Sequence, residues 1–472
     1  MDPSLIGRKN NMRLSQYILT PIFLIISSIS LAMEPPETKY FMVTDQCCGE
    51  DSDPHAVHGI AVEENGYILS GKSVDNDESH DGFVVKFPYL KNEEGNIWLH
   101  PEDDFNIEWT YIFGSDGKLD AANASASLDG FVFVAGHLSS KEGVVNRYLA
   151  KLDLSDGRLI WEMSYPSAKK NKDSSFVSAS ITRDNGLILT GVTNAKSESL
   201  EGFKSYGNPY SGNTFLMYFN EGQLKADNAP EKPSWETEIG NSMIGLAIEE
   251  SHDEQAYIIA AATSEKKGAT PMIIKLDQEG NQIWSKKYSD HGEVTDIAIS
   301  TINGEVDGYL ITGHNGGEKG GIDAIITKVS MDGSILWDEL YGNPSGGESI
   351  FADLGRGDEK IIYDECWGIE SMNDGGAVIA CGTGTHCYEH KRNKKLFAQC
   401  EEDPRGTWRA LLVRVDKDGN LLWERADSFL EEEEEDWIPD TASEYVTLTS
   451  SKNIVSILDL GFGYGIQVLE SE

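Results

Sequence analysis

The chain is short of cationic residues. It has 39 lysine and arginine residues against 79 aspartate and glutamate residues, and its formal net charge is −40 over 472 residues. A surface of this sign repels nucleic acid and anionic membranes, so neither is expected as a partner. It favours cations or basic partners, while solubility is the simpler reason for the same charge.

Long apolar runs are missing except near the N-terminus. Residues 17–31 are mostly apolar and follow the basic residues Arg8, Lys9 and Arg13. The run is short for a membrane span and ends in a small-residue cleavage pattern, so we expect residues 1–32 to be a signal peptide. An uncleaved N-terminal anchor is the alternative. Residues 33–472 are then expected as one secreted or extracytoplasmic domain without a membrane span.

Common catalytic signatures are absent from the sequence. It contains no Gly-rich phosphate loop, no nucleophile elbow and no His-Glu-x-x-His motif. Asp416 begins a stretch that resembles a calcium loop, but the later acidic ligand is lacking, so we interpret it as a hairpin turn. Acidic residues are so numerous that a pair of carboxylates in the sequence does not locate an active site. We therefore expect no cofactor and no metal site, and we assign no catalytic residue.

Cysteine is scarce, with six residues in the chain. In an exported protein they are expected to form disulfides, and their pairing is left open by the sequence. The candidates are Cys47, Cys48, Cys366, Cys381, Cys387 and Cys400. Cys387 and Cys400 flank one insertion and are the preferred pair. Zinc held by these two cysteines with His386 and His390 is the weaker alternative.

A repeated hairpin dominates the rest of the chain. Each copy is an apolar run, an Asp/Gly turn and a second apolar run that ends in Trp. The turn residues supply positive φ and the flanks favour strands, so each copy predicts a β-hairpin. The tryptophans recur at a spacing of roughly 50 residues, with two larger gaps. They are Trp109, Trp161, Trp235, Trp284, Trp337 and Trp423.

Each period contains four predicted strands, which we call a, b, c and d. Repeated four-stranded units of this length indicate an all-β protein with a β-propeller fold, and a solenoid is the alternative. After Trp423 come three more predicted strands without a fourth, while residues 39–43 form a spare strand before the first repeat. We expect seven antiparallel blades, closed by this N-terminal strand, with six or eight blades as alternatives. Closure removes the exposed sheet edges of an open ring.

The predicted connections are asymmetric. The a–b and c–d turns are short, whereas the d–a and b–c connections contain long loops at 193–212, 343–365, 383–407 and 426–443. Because strand direction alternates, these loops share one face, the long-loop face, and we expect ligand binding there. Packing of the loops on one another is the alternative. The predicted aromatic anchors are Phe203, Tyr206, Tyr210, Phe351, Tyr388, Phe397 and Trp437.

The Asp-x-x-Gly-x-x-x-Trp hairpin resembles the tryptophan motif of pyrroloquinoline-quinone-type propeller repeats. It is also similar to bacterial Asp/Gly/Trp propeller repeats of unassigned function. The resemblance covers most of residues 33–472 but only the hairpin of each blade. It implies that Trp161, Trp284, Trp337 and Trp423, and more loosely Trp109 and Trp235, are structural residues that dock neighbouring blades. We expect Trp284 and Trp337 to be largely buried between blades.

Quinoprotein dehydrogenases also place adjacent cysteines near their cofactor, which invites a comparison with Cys47 and Cys48. Those enzymes are typically eight-bladed and longer, the pair here follows the first strand, and no cofactor-ligand set aligns. The resemblance therefore points to a non-enzymatic branch, a binding or scaffold module for an unknown protein or carbohydrate. The alternatives are a carbohydrate-active hydrolase or lyase with channel carboxylates and, less favoured, a quinone-dependent oxidoreductase.

Overall fold

The computed structural model describes most of residues 33–472, and its named elements are twenty-nine β-strands and one short helix, α1 (Glu221–Lys225). The residues described are 33–45, 47–48, 52–62, 65–74, 79–90, 95–98, 107–115, 118–196, 211–251, 254–265, 268–288, 292–316, 322–342, 363–384, 408–427, 441–461 and 463–470. Within them, no helix has the length and apolar character of a membrane span.

The strands form seven blades, each with four antiparallel strands, around a ring. One parallel bridge, between Ile322 and Tyr363, joins blades 5 and 6 into a single eight-stranded sheet. Strand β1 (Thr38–Thr44) precedes blade 1. Blade 1 contains β2 (Asp53–Ala61), β3 (Tyr67–Val74) and β4 (His80–Phe87); after the separate strand β5 (Gly95–Trp98) it ends with β6 (Trp109–Phe113). Blade 2 contains β7 (Ala121–Leu128), β8 (Phe131–Ser139), β9 (Val145–Asp153) and β10 (Leu159–Tyr165). Blade 3 contains β11 (Asp173–Ile181), β12 (Leu187–Ala195), β13 (Asn213–Phe219) and β14 (Trp235–Asn241).

The second half of the ring repeats this order. Blade 4 contains β15 (Met243–Ser251), β16 (Ala256–Glu265), β17 (Gly268–Asp277) and β18 (Gln282–Lys287). Blade 5 contains β19 (Glu293–Ile302), β20 (Glu305–Gly316), β21 (Ile322–Val329) and β22 (Ile335–Tyr341). Blade 6 contains β23 (Tyr363–Ser371), β24 (Ala377–Gly384), β25 (Trp408–Val415) and β26 (Leu421–Asp427). Blade 7 contains β27 (Thr441–Leu448), β28 (Ile454–Leu460) and β29 (Gly463–Leu469), and is completed by β1.

The N-terminal strand closes the ring, as the sequence predicts. Strand β1 pairs antiparallel with β29, from Thr38 opposite Leu469 to Thr44 opposite Tyr464. The tyrosine hydroxyls of Tyr40 in β1 and Tyr67 in β3 are 2.7 Å apart, which links blade 7 to blade 1. Strand β5 was not predicted. It leaves blade 1 and pairs in parallel with the outer edge of β1, so blade 7 has a fifth strand.

The repeat tryptophans of blades 1 to 5 contact the c–d connection of the following blade. The indole Nε1 of Trp109 donates to Leu154 O at 3.0 Å, and that of Trp337 donates to Lys417 O at 2.9 Å. A Cβ added at Gly333 would meet the ring of Trp284 at 2.9 Å, so this turn requires glycine. Burial, however, is uneven: Trp161 and Trp423 are buried, whereas Trp284 and Trp337 are only half-buried, which corrects the expectation for these two.

A buried cation lies opposite the tryptophan in five of the blades. In the register of strands c and d, Lys328 is paired with Trp337, and Arg414 is paired with Trp423. Lys328 binds Asp307 at 2.8 Å, beside the a–b turn of its own blade. Breaking such an ion pair would leave an unpaired buried charge. The pair therefore holds the a–b turn against strand c. The other cations at this position are Lys86, Lys151 and Lys275.

The connections depart from the predicted asymmetry at two places. The c–d connection of blade 1 is long because it contains β5, and that of blade 3 contains α1. The four long connections are also shorter than predicted, because the flanking strands extend into them. They comprise residues 196–212, 342–362, 385–407 and 428–440.

Candidate functional site

The long-loop face carries its insertions mainly around one blade. Residues 342–362 lead into blade 6, residues 385–407 connect its strands β24 and β25, and residues 428–440 lead out of it. Only the connection 196–212, in blade 3, lies elsewhere. Blade 6 is therefore the main attachment point of the predicted binding loops.

The predicted aromatic anchors lie outside the described residues, and their roles stay predictions. This applies to Phe203, Tyr206, Tyr210, Phe351, Tyr388, Phe397 and Trp437, and equally to Cys387, Cys400, His386 and His390. Two disulfides are present among the described cysteines: Cys47 with Cys48, and Cys366 with Cys381. The second joins β23 to β24 near their loop-bearing ends, so it staples blade 6 where two of its long loops begin or end.

The central channel is lined by the innermost strand of every blade. Each of the seven strands has a β-bulge at an equivalent place, for example between Ala56 and His58 in β2 and between Ser443 and Tyr445 in β27. A bulge redirects the side chains that follow it. The residue after the bulge can then reach the next blade: the rings of Tyr445 and His58 lie 4.3 Å apart, and Asp296 Oδ2 accepts a hydrogen bond from Ile369 N at 2.9 Å.

The channel opens into an acidic cavity of about 440 Å³ towards the a–b turns. The cavity contains Glu249 and Glu370, each two residues after the residue that follows the bulge of its strand. It lies between blades 4 and 7, where the small side chain of Ala298 in blade 5 leaves space between Glu249 of blade 4 and Glu370 of blade 6. The phenol ring of Tyr445 completes the lining. This cavity is at the short-turn end of the channel, because Glu249 and Glu370 stand near the C-terminal ends of β15 and β23.

Burial raises the pKa values of the two glutamate carboxyl groups in the cavity. It raises the pKa of Glu249 to about 8, with repulsion from Glu370 and Asp296 as further causes. Burial also raises the pKa of Glu370 to about 8, again with repulsion from Asp296. Both normally titrate near 4.5, so at neutral pH the two carboxyl groups retain protons and can donate hydrogen bonds. Burial, and then repulsion from Asp296, Glu370 and Glu249, raise the pKa of Tyr445 well above its usual value, so its hydroxyl stays protonated.

The cavity offers hydrogen-bond donors and an aromatic face to a small polar ligand. Ser180 Oγ donates to Glu249 Oε2 at 3.5 Å, which orients one carboxyl group. Groups with strongly shifted pKa values in a cavity are candidates for acid–base chemistry. Within the described part of the chain, no cluster of three or more His, Cys, Asp or Glu side chains is arranged to hold a metal ion.

The sequence did not single out Glu249, Asp296, Glu370 or Tyr445. An acidic residue is uninformative in so acidic a chain. The usable signal was positional, because Glu249 and Glu370 lie at the same distance from the bulge of their strands. Finding it required the bulge, which has no sequence signature here.

Asp416 and Asn123 have structural roles. The Asp416 carboxylate accepts hydrogen bonds from Asp418 N at 2.8 Å and Asn420 N at 2.9 Å, as in a hairpin turn. Asn123, in a glycosylation-acceptor pattern, is buried, and its amide donates to Phe176 O at 2.6 Å in the next blade.

Comparison with known proteins gives matches of structure alone. The WD40 domain of Neurospora crassa Pan2 matches 93% of this chain and 90% of its own, with 9% identity and a TM-score of 0.44. A europium-containing methanol dehydrogenase matches 89% of this chain and 77% of its own, with 9% identity and a TM-score of 0.43. Sqt1 from Chaetomium thermophilum matches 93% of this chain and 100% of its own, with 12% identity and a TM-score of 0.43. No family model and no curated protein matches the sequence. The fold assignment therefore rests on the order and pairing of the strands.

Proposed function

We propose that the protein is a secreted or surface-exposed β-propeller that acts as a binding or scaffold module, in a non-enzymatic branch of the quinoprotein-type repeats. Its ligand is a protein or a carbohydrate, bound on the long-loop face. The observation that carries the proposal is the concentration of three long connections at blade 6, on a blade that is also stapled by Cys366–Cys381. Loops on a rigid scaffold are the usual carriers of binding residues.

The net charge of −40 favours a positively charged partner. An acidic surface accelerates encounter with a cationic ligand, and salt weakens this attraction because it screens charges beyond about 10 Å at 0.1 M. A basic protein and a cationic polysaccharide both satisfy this requirement. The aromatic residues predicted in the loops would supply the contact area.

Binding to two defined probes tests the proposal. Oligolysine represents a basic protein and chitosan oligomers represent a cationic carbohydrate; dextran is the uncharged control. We expect at least one cationic probe to bind, more weakly as salt is added. Replacing residues 385–407 by a short Gly/Ser linker should weaken that binding while the melting temperature is retained. Full binding by a folded variant with all four long connections shortened would refute the proposal.

A second function, a carbohydrate-active hydrolase or lyase, is favoured by the acidic cavity. Carboxyl groups that retain protons near neutral pH can act as general acids. Under this alternative Glu370→Gln and Glu249→Gln would each abolish turnover of a panel of oligosaccharides. Glu424→Gln, on outer strand β26, is the matched control and should retain turnover. Absence of turnover by the unaltered protein across the panel would leave the binding module as the function.

A further inference from the structure

The exposed large apolar side chains are concentrated on one hairpin of the outer rim. Four of the eight such residues in the described part belong to the c–d turn and outer strand of blade 5: Met331, Ile335, Leu336 and Leu340. The remaining four are single residues on other elements, including Ile283 on β18. Isolated apolar residues are normal on a protein surface, whereas a cluster marks an interaction site.

The same hairpin has an open sheet edge. Strand β22 pairs with β21 on one side, and no described strand pairs with its other side. Open edges present unpaired backbone N–H and C=O groups, and proteins usually protect them with charges or bulges. Neighbouring β18 carries Lys286 and Lys287 near its end, whereas β22 has apolar residues at both ends.

This propeller already binds an additional strand on one outer edge. In blade 7, β5 pairs with the outer side of β1 through four successive residue pairs, from Tyr40 with Gly95 to Val43 with Trp98. The outer edge of a blade in this ring is therefore accessible to a fifth strand, and the segment that occupies it, Gly-Asn-Ile-Trp, is extended and partly apolar.

The charges beside β22 define the occupant. The strand carries the exposed carboxylate of Glu339 and no cation, and by strand alternation Glu339 lies on the opposite face from Leu336 and Leu340. Lys417, next to Trp337, is 2.6 Å from Asp418 and so is already paired. A second copy of this chain would place like charges opposite one another, on a molecule with a net charge of −40, which opposes self-pairing.

We propose that the outer edge of β22 is a docking site for an extended segment of a partner polypeptide that alternates basic and apolar residues and adds to blade 5 as a fifth strand. Backbone hydrogen bonds along the edge provide affinity, and Leu336 and Leu340 contact the apolar side chains. The site is on the rim, and it is independent of the function proposed for the long-loop face.

A designed peptide tests the proposal. The probe is a short synthetic peptide of alternating lysine and valine, and its binding is measured by fluorescence anisotropy and by hydrogen exchange of the full protein. We expect saturable binding that protects the amides of β22. A version with glutamate in place of lysine, and a version N-methylated on one edge, should both bind at least about tenfold more weakly.

The matched variants are Leu336→Ser and Ile283→Ser. Both residues are 54% exposed and both immediately precede a repeat tryptophan, on β22 and β18 respectively. Leu336→Ser should weaken binding of the probe by about tenfold, since burying a contacting leucine contributes at least that factor to the affinity. Ile283→Ser should leave the affinity unchanged. Equal loss in both variants, protection on another outer strand, or no preference for lysine over glutamate would overturn the proposal. Concentration-dependent protection of β22 without peptide would identify a second copy as the occupant and overturn it too.

Discussion

Glu249 and Glu370 show what burial does to single residues in this ring. On an exposed strand they would be two more acids among many. In the channel the lost hydration keeps them protonated near neutral pH, with repulsion from Asp296 on both and from Glu370 on Glu249. The cavity is therefore less negative than the sequence suggests.

The stability of the protein should depend on pH through these residues. The pKa of Glu249 rises from 4.5 in the unfolded chain to about 8 in the fold, so the folded state binds more protons between these values. The free energy of unfolding consequently falls as pH rises from about 4.5 to 8. We expect Glu249→Gln to be more stable than the parent above pH 8 by about 1–2 kcal/mol, with the difference vanishing near pH 4.5. Urea denaturation across this range measures it.

The exposed Glu279→Gln is the control for this series. It lies in the c–d turn of blade 4 and measures the effect of removing one exposed carboxyl group from the surface. A Glu249→Gln variant that stays less stable than the parent at all pH values would contradict the protonation assigned to the cavity.

The repeat tryptophans should contribute different amounts to the free energy of unfolding, because their burial differs. Trp161 is 5% exposed and donates to Ala226 O at 3.2 Å, whereas Trp284 is half-buried. We expect Trp161→Ala to lower the free energy of unfolding by about 3–5 kcal/mol, and Trp284→Ala by roughly half as much. Chemical denaturation with matched m-values measures both. Equal losses would show that position in the repeat, and not burial, sets the cost.

At the scale of elements, the parts fixed by local chemistry were predictable. Asp/Gly turns, strands with apolar flanks and the tryptophan that ends each hairpin are local signals, and they located the blades. Strand β5 was missed because four residues in a long connection carry no period. The Cys366–Cys381 disulfide was one open possibility among several, since pairing depends on strand register. The channel cavity was missed because it depends on bulges and on a small residue between two acids.

Strand β1 should be indispensable to the ring. It lies between β29 and β5, and four of its residues from Tyr40 to Val43 are buried. Deleting residues 33–44 removes that apolar contact and opens blade 7, so we expect a lower melting temperature for the whole domain in one cooperative transition. Calorimetry measures it. The control begins at residue 37 and keeps the strand; it should melt close to the full domain. Unchanged melting after loss of the strand would contradict closure by β1.

At the scale of the whole molecule, charge and architecture act against each other. The strand ladders of the blades and their apolar clusters hold the ring together, while a net charge of −40 repels itself within the same volume. Paired cations such as Lys328 and Arg414 remove part of that repulsion inside the blades. The remainder is at the surface, where salt can screen it.

Salt should therefore stabilise the protein. Raising sodium chloride from about 10 mM to about 150 mM shortens the screening length from roughly 30 Å to 8 Å. We expect the melting temperature to rise by a few degrees, because repulsion between surface carboxylates weakens. Scanning calorimetry in both buffers measures it. Sucrose at the same osmolality is the control for effects other than charge, and a fall in melting temperature with salt would contradict the expectation.

The pairing of β1 with β29 also determines when the ring can close during synthesis of the chain. Thr38 lies close to the start of the described chain, and its partner Leu469 lies close to the end. A ribosome that makes the chain from its N-terminus completes six blades before the partner of the first strand exists. During that interval β1 has no antiparallel partner, and the growing ring keeps an apolar flank towards water. Closing the ring is thus a late, long-range event that costs loop entropy, and synthesis of the final strand is the step that commits the protein to its native shape.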